Sequence, residues 1–172
     1  VQTPDQLRVT LGDAGVDVDR LLVSGQLQIM SAQEAYLKGG EFDPIKMVDL
    51  LREETDQAIA EGYSAMRCTG EMTWALAGEP GSERLIEYEA LLNRFFPDSR
   101  CYGVCQYDLR HFDSEMLLDI IYSHPKVLYG KEGFDNSKMY YVPPERIRNR
   151  DRQGAMLETW LANLSEHGVK PA

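Results

Sequence analysis

Two hydrophobic periods alternate along this chain, and that alternation limits its fold more than any other feature. Gln26-Leu-Gln-Ile-Met30 alternates polar and apolar residues as a strand does. Asp43-Pro44 then starts a long helix, with Ile45, Val48, Leu51, Ala58 and Ile59 on one face and Gly62 placed to end it. Ala65, Met66, Cys68 and Thr69 suit a buried strand, and Gly70-Glu71 breaks it where Met72, Trp74 and Leu76 begin another pattern. Ser82 is placed to cap a helix carrying Leu85, Ile86, Tyr88, Leu91, Leu92 and Phe95, followed by a buried-type strand over Cys101 to Tyr107. A helix capped near Asp113 or Ser114 ends at His124-Pro125, and Lys126 to Tyr129 reads as a further strand. Strand, helix, strand, helix, strand, helix, strand is the signature of an α/β domain: a mostly parallel sheet flanked by helices.

The two ends depart from that rhythm. Thr3-Pro4 starts a helix with Leu7 and Leu11 at helical spacing, and residues 1–20 contain no strand, so the domain is expected to lack its first strand here. Gly130 to Asn136 reads as a turn and Lys138 to Val142 as a last edge strand. Pro143-Pro144-Glu145 opens a charged C-terminal amphipathic helix in which Leu157, Trp160, Leu161 and Leu164 make one apolar stripe. That divides the chain into a domain over 1–144 and a linker or dimerisation element over 145–172. The stripe suits docking on its own domain as well as a homodimer seam or a lead into another domain.

Composition excludes several classes. The formal charge of −10 opposes nucleic-acid binding, whose affinity comes chiefly from Lys and Arg neutralising phosphates. The apolar runs fall far short of the ~20 residues that span a bilayer. Three cysteines, Cys68, Cys101 and Cys105, do not make a disulfide framework, so reduced thiols and a cytoplasmic setting are expected. Neither G-x-x-x-x-G-K-[ST] nor G-x-G-x-x-G occurs, so nucleotide binding has no fingerprint. Cys101 and Cys105 on one extended strand stand about 13 Å apart at ~3.3 Å per residue, too far to share a zinc. No metal-ligand set and no cofactor is assigned; one cysteine with His124 or His111 is the arrangement the spacing leaves open. Cys68 with His124 and Glu71 would supply a nucleophile set, but none lies in a recognisable nucleophile turn, and no enzyme activity is assigned.

Ligands of open α/β sheets bind outside the carboxyl ends of the strands, which puts Arg67, Thr69, Glu71 and Trp74 at that rim. The competing structural reading pairs Arg67 with Glu71 and places Trp74 in the core.

Several strings occur together: Arg67-Cys-Thr-Gly-Glu-Met-Thr-Trp-Ala-Leu76, Tyr88-Glu-Ala-Leu-Leu-Asn93, Cys105-Gln-Tyr-Asp108, His124-Pro125 and Tyr140-Tyr-Val-Pro-Pro144. From about Leu7 to Pro144 the chain resembles the MEDS sensory domain, named for methanogens, methylotrophs and a dichloromethane-responsive regulator. The resemblance implies a fold similar to the circadian-clock ATPase and RecA class with degenerate phosphate-loop chemistry. It also implies a non-enzymatic role in binding small molecules, proposed to be hydrocarbon derivatives, beside histidine kinase, PAS or DNA-binding modules in the same protein. Members usually open with a strand and a His-containing loop upstream of anything matching Val1. The candidate ligand site is then Arg67, Glu71, Trp74, Cys105, Tyr107 and His124. Arg67 would hold an anionic or carbonyl group, Trp74 and Tyr107 apolar walls, and His124 or a thiol a polar contact. A degenerate RecA-type nucleotide-binding protein and a plain dimerisation module are the alternatives.

Overall fold

A computed structural model describes residues 3–135. Helices form where the caps are written. Thr3 and Gln6 make a reciprocal capping box for α1 (Pro4–Asp13), Asp17 caps α2 (Val18–Val23) and Ser31 caps α3 (Ala32–Ala35). In α4 (Pro44–Ala60) the Asp43 carboxylate accepts from the amides of Ile45 and Lys46 at 3.0 and 3.3 Å. That satisfies two donors a helix start leaves orphaned. α4 buries Val48, Leu51 and Thr55 and stops at Gly62, whose φ of +96° needs no Cβ.

β1 (Met66–Glu71) and β2 (Cys101–Gln106) pair in parallel, with Met66 opposite Cys101 and Glu71 opposite Gln106. Between them run a 3₁₀ turn at Thr73–Ala77 and α5 (Leu85–Phe95), the crossover a parallel pair requires. α5 buries Leu85, Ile86, Tyr88, Leu92 and Phe95 and packs on α4 and on α6 (Ser114–Ser123), which Asp113 caps. The core gathers Phe42, Met72, Trp74, Leu85, Tyr88, Phe112 and Ile120 around the carboxyl ends of β1 and β2. No described helix is long and apolar enough to cross a membrane.

The mixed helix-and-strand class is as expected, and four local expectations are corrected. Gln26–Met30 forms no strand. Leu27 and Ile29 are half-buried between exposed neighbours, so the alternation is of burial alone, and the Leu27 amide bonds back to Leu21 instead. β1 continues through Gly70 to Glu71 because the ladder with β2 runs that far. Ser82, expected as a cap, lies buried inside a 3₁₀ turn before α5. β3 (Lys126–Tyr129) does not extend the parallel pair among the described residues. It makes an antiparallel hairpin with β4 (Glu132–Asp135), where a turn was expected, and Gly130 at φ +63° opens the loop. The strand read at Lys138–Val142 and the helix from Pro143 lie outside the described residues.

Candidate functional site

Strand alternation sorts the candidates by face. Met66 and Cys68 of β1, with Cys101 and Cys105 of β2, turn toward the helices. Arg67 turns the other way, to the exposed face, where its guanidinium lies 5.9 Å from the Tyr102 ring centroid. Thr69 shares that face and accepts from Gln106 Nε2 at 2.7 Å. The pairing of Arg67 with Glu71 is not among the described contacts; Glu71 Oε1 accepts instead from the backbone amide of Thr73 at 3.0 Å and from its hydroxyl. Arg67 is thus on the face of β1 opposite Cys68, and Glu71, in step with Arg67 at the end of the strand, turns its carboxylate to the 3₁₀ turn that follows.

Trp74, Cys105, Tyr107 and His124 are drawn toward the inner layer. Trp74, on the 3₁₀ turn, is only 5% exposed; it stacks on Tyr36 at 4.7 Å between centroids and meets Phe42 edge-on at 4.8 Å. Tyr36 reaches this position because residue 70 is glycine: a Cβ there would lie 2.1 Å from the Tyr36 hydroxyl. Trp74 Nε1 and Glu71 Oε2 are buried without a hydrogen-bond partner among the described residues. Such orphans are uncommon in native interiors, and each costs on the order of 1–3 kcal/mol.

Cys105, Tyr107 and His124 converge on Glu89, a residue the sequence reading passed over. Glu89 sits mid-way along α5 with its carboxylate 1% exposed. Its Oε2 is 3.5 Å from Cys105 Sγ and 3.3 Å from His124 Nε2, and the Tyr107 hydroxyl donates to Oε1. His124 is the C-cap of α6, as expected for a helix end, and its Nδ1 lies 2.7 Å from the Ile120 carbonyl oxygen. A carbonyl only accepts, so Nδ1 carries the hydrogen and Nε2 presents to Glu89 either a proton or a lone pair. The signal for Glu89 was present: it falls four residues after Leu85 and three after Ile86, which puts an acid on the apolar face of its helix.

Electrostatics follows from this burial. Desolvation, then the Glu89 carboxylate, pushes the thiol of Cys105 and the phenol of Tyr107 well above their usual values. Tyr36 and Tyr88 are pushed up by burial with the same acid nearby. Cys68 faces Cys101 at 3.8 Å between sulfurs, and that contact with burial raises its proton affinity, so the thiol stays protonated. A nucleophile needs the thiolate, which this setting disfavours at Cys68, while the same contact lowers the Cys101 thiol to about 7. His111 is half-exposed beside Asp108, apart from the cluster.

The model of the family described as the MEthanogen/methylotroph, DcmR Sensory domain matches residues 1–125. The transcriptional repressor DcmR of Methylorubrum extorquens (strain DSM 6343 / CIP 106787 / DM4) is 30% identical over 112 residues, which are 63% of this chain and 38% of the repressor. No solved structure gives a significant match. The family model covers every one of the inner-layer residues, from Tyr36 to His124, and the chain belongs to the MEDS sensory-domain family.

Proposed function

We propose that this chain is the small-molecule sensing domain of a transcription-regulatory protein, acting by binding rather than turnover. The observation that carries the reading is the pair of buried polar atoms without a partner among the described residues, Trp74 Nε1 and Glu71 Oε2, set beside an aromatic wall of Tyr36, Phe42 and Tyr88. One donor and one acceptor against apolar surface is how small-ligand sites obtain orientation. A small hydrocarbon derivative with one polar group would bury its carbon against the rings and pair with the orphaned atoms. Cys105, Tyr107 and His124 would border it, and Arg67 would remain on the outer face. The parallel β1–β2 pair with its helical crossover supports a degenerate RecA-like arrangement without a phosphate loop.

The relative named as a transcriptional repressor supports a DNA-binding output elsewhere in the same protein, and kinase or PAS neighbours fit the same logic. A ligand biases output only through different affinity for two states. The segment after Pro144, with its apolar stripe, would carry that bias or join two copies.

The test uses the full chain with Trp160 replaced by Phe, which leaves Trp74 as the one fluorophore of its kind. Titration with dichloromethane and related small halogenated or hydroxylated hydrocarbons should change Trp74 emission saturably. Trp74→Phe keeps a ring and loses Nε1–H. By native mass spectrometry it should bind the responding compound about two- to twelvefold more weakly, the worth of one hydrogen bond of ~0.5–1.5 kcal/mol. No saturable response and no retained small molecule across the series would sink the reading.

A further inference from the structure

We propose that Glu89, Cys105 and His124 form a binding site for a zinc-class divalent cation, held by one carboxylate oxygen, the Cys105 thiolate and Nε2 of His124. The three donors come from three elements, α5, β2 and the end of α6, and lie within 4.8 Å of one another. Tetrahedral zinc with bonds of ~2.0 to 2.3 Å separates nitrogen from oxygen by about 3.3 Å and sulfur from oxygen by about 3.6 Å. Here those edges are 3.3 Å, from His124 Nε2 to Glu89 Oε2, and 3.5 Å, from Cys105 Sγ to the same oxygen. The third edge, from Cys105 Sγ to His124 Nε2, lies within 4.8 Å, so rotation of the side chains would close it on a cation.

The surroundings match what a metal requires of its ligands. His124 donates Nδ1–H to the Ile120 carbonyl at 2.7 Å, which fixes the ring with Nε2 facing Glu89. Such a bond to a carbonyl is the usual outer partner of a metal-bound imidazole. Tyr107 donates to Glu89 Oε1, orienting the carboxylate and leaving Oε2 toward the other two donors. The charge balance also closes: one thiolate and one carboxylate neutralise a divalent ion, in a place too buried to hold an unpaired charge. Thiolate with imidazole selects zinc-class metals over magnesium or calcium. Binding releases the Cys105 thiol proton, and any proton on Nε2, to solvent. Three protein donors leave a fourth tetrahedral position for water or a ligand atom.

The alternative is a metal-free cluster in which a proton on Nε2 bridges to Glu89. The experiment separates the two and does not depend on which small molecule the domain senses. The full chain is purified without chelator and its metal content measured; it is then stripped and titrated with Co²⁺ followed by Zn²⁺. The expected result is one equivalent of metal, a thiolate-to-cobalt charge-transfer band saturating at one equivalent, and displacement by Zn²⁺. Cys105→Ser should abolish that band, and Glu89→Gln should weaken binding at least tenfold. Tyr107→Phe keeps all three donors and should retain the band with a smaller loss of affinity. Circular dichroism of the stripped variants identifies any that fail to fold, and the Tyr107→Phe and Glu89→Gln pair still decides the matter if Cys105→Ser is one of them. Absence of both metal and band in the folded wild type, or a band that survives in Cys105→Ser, overturns the proposal; the latter would place the thiolate at Cys68 or Cys101.

Discussion

At the scale of single residues, Gly70 and Tyr36 are fitted to each other. A methyl group at residue 70 would stand 2.1 Å from the Tyr36 hydroxyl and 3.3 Å from Met72 Sδ, so Gly70→Ala forces the ring off Trp74. Chemical denaturation should show a loss of about 1–3 kcal/mol, the usual cost of overpacking. Adding Tyr36→Phe removes the clashing oxygen and should restore part of that loss, whereas an effect of the Gly70 backbone alone would not be rescued. Trp74 was legible as a site residue and equally as core; the structure places its ring in the core and leaves its Nε1 without a partner among the described residues. Trp74→Ala should therefore cost about 3–5 kcal/mol of stability, which makes Trp74→Phe the better probe of binding. Glu89 escaped notice because hydrophobic periodicity records where apolar residues lie and passes over an acid among them. Its burial becomes interpretable only when β2 and α6 supply Cys105, Tyr107 and His124, and no local window contains all four.

Among the elements, α5 joins the parts of the inner layer. Its Asn93 side chain donates to the Glu89 carbonyl at 3.1 Å and to the Ser123 carbonyl at the end of α6. Asn93→Ala leaves the Ser123 carbonyl without that donor and should lower stability by about 1–3 kcal/mol. Hydrogen exchange should quicken at the last turn of α6, next to His124, while α4 is unaffected; uniform quickening would mean that Asn93 does not act as a local latch. α4 and α6 were legible because each joins a side-chain cap, at Asp43 and Asp113, to a run of apolar residues at helical spacing; α2 and α3 have caps too, but at six and four residues are too short to show a period. Strands are different, because their hydrogen bonds go to segments far along the chain. Gln26–Met30 has the period of a strand with no neighbour to pair with among the described residues, and β4 was hidden among residues that look like a turn.

For the molecule as a whole, the buried phenols set a limit at alkaline pH. Tyr36, Tyr88 and Tyr107 are all raised above the ordinary value by burial, with Glu89 nearby. In the unfolded chain they ionise near pH 10. The native state therefore loses stability as pH climbs past that point, since the unfolded chain gives up protons that the folded one keeps. Midpoints of urea unfolding should begin to fall above about pH 8, where the thiols of Cys68 and Cys105 ionise in the unfolded chain alone, and fall more steeply past about pH 10. The three tyrosines should ionise together with unfolding rather than before it; free titration in the native state would contradict their burial. The sheet was the least legible part at this scale: alternating strands and helices announce a parallel pair, but they do not say whether β3 joins it.

The parallel β1–β2 ladder also has a kinetic side. Its strands are separated by residues 72–100, which include all of α5. Bringing such distant segments together costs chain entropy before any ladder bond forms. Local helices form in far less time than such non-local pairing. α5 would thus be laid down first, and the strands would find each other across its buried face. The polar cluster at Glu89, which needs both strand and helix in place, would be among the last parts to assemble and the first to open when the domain is strained.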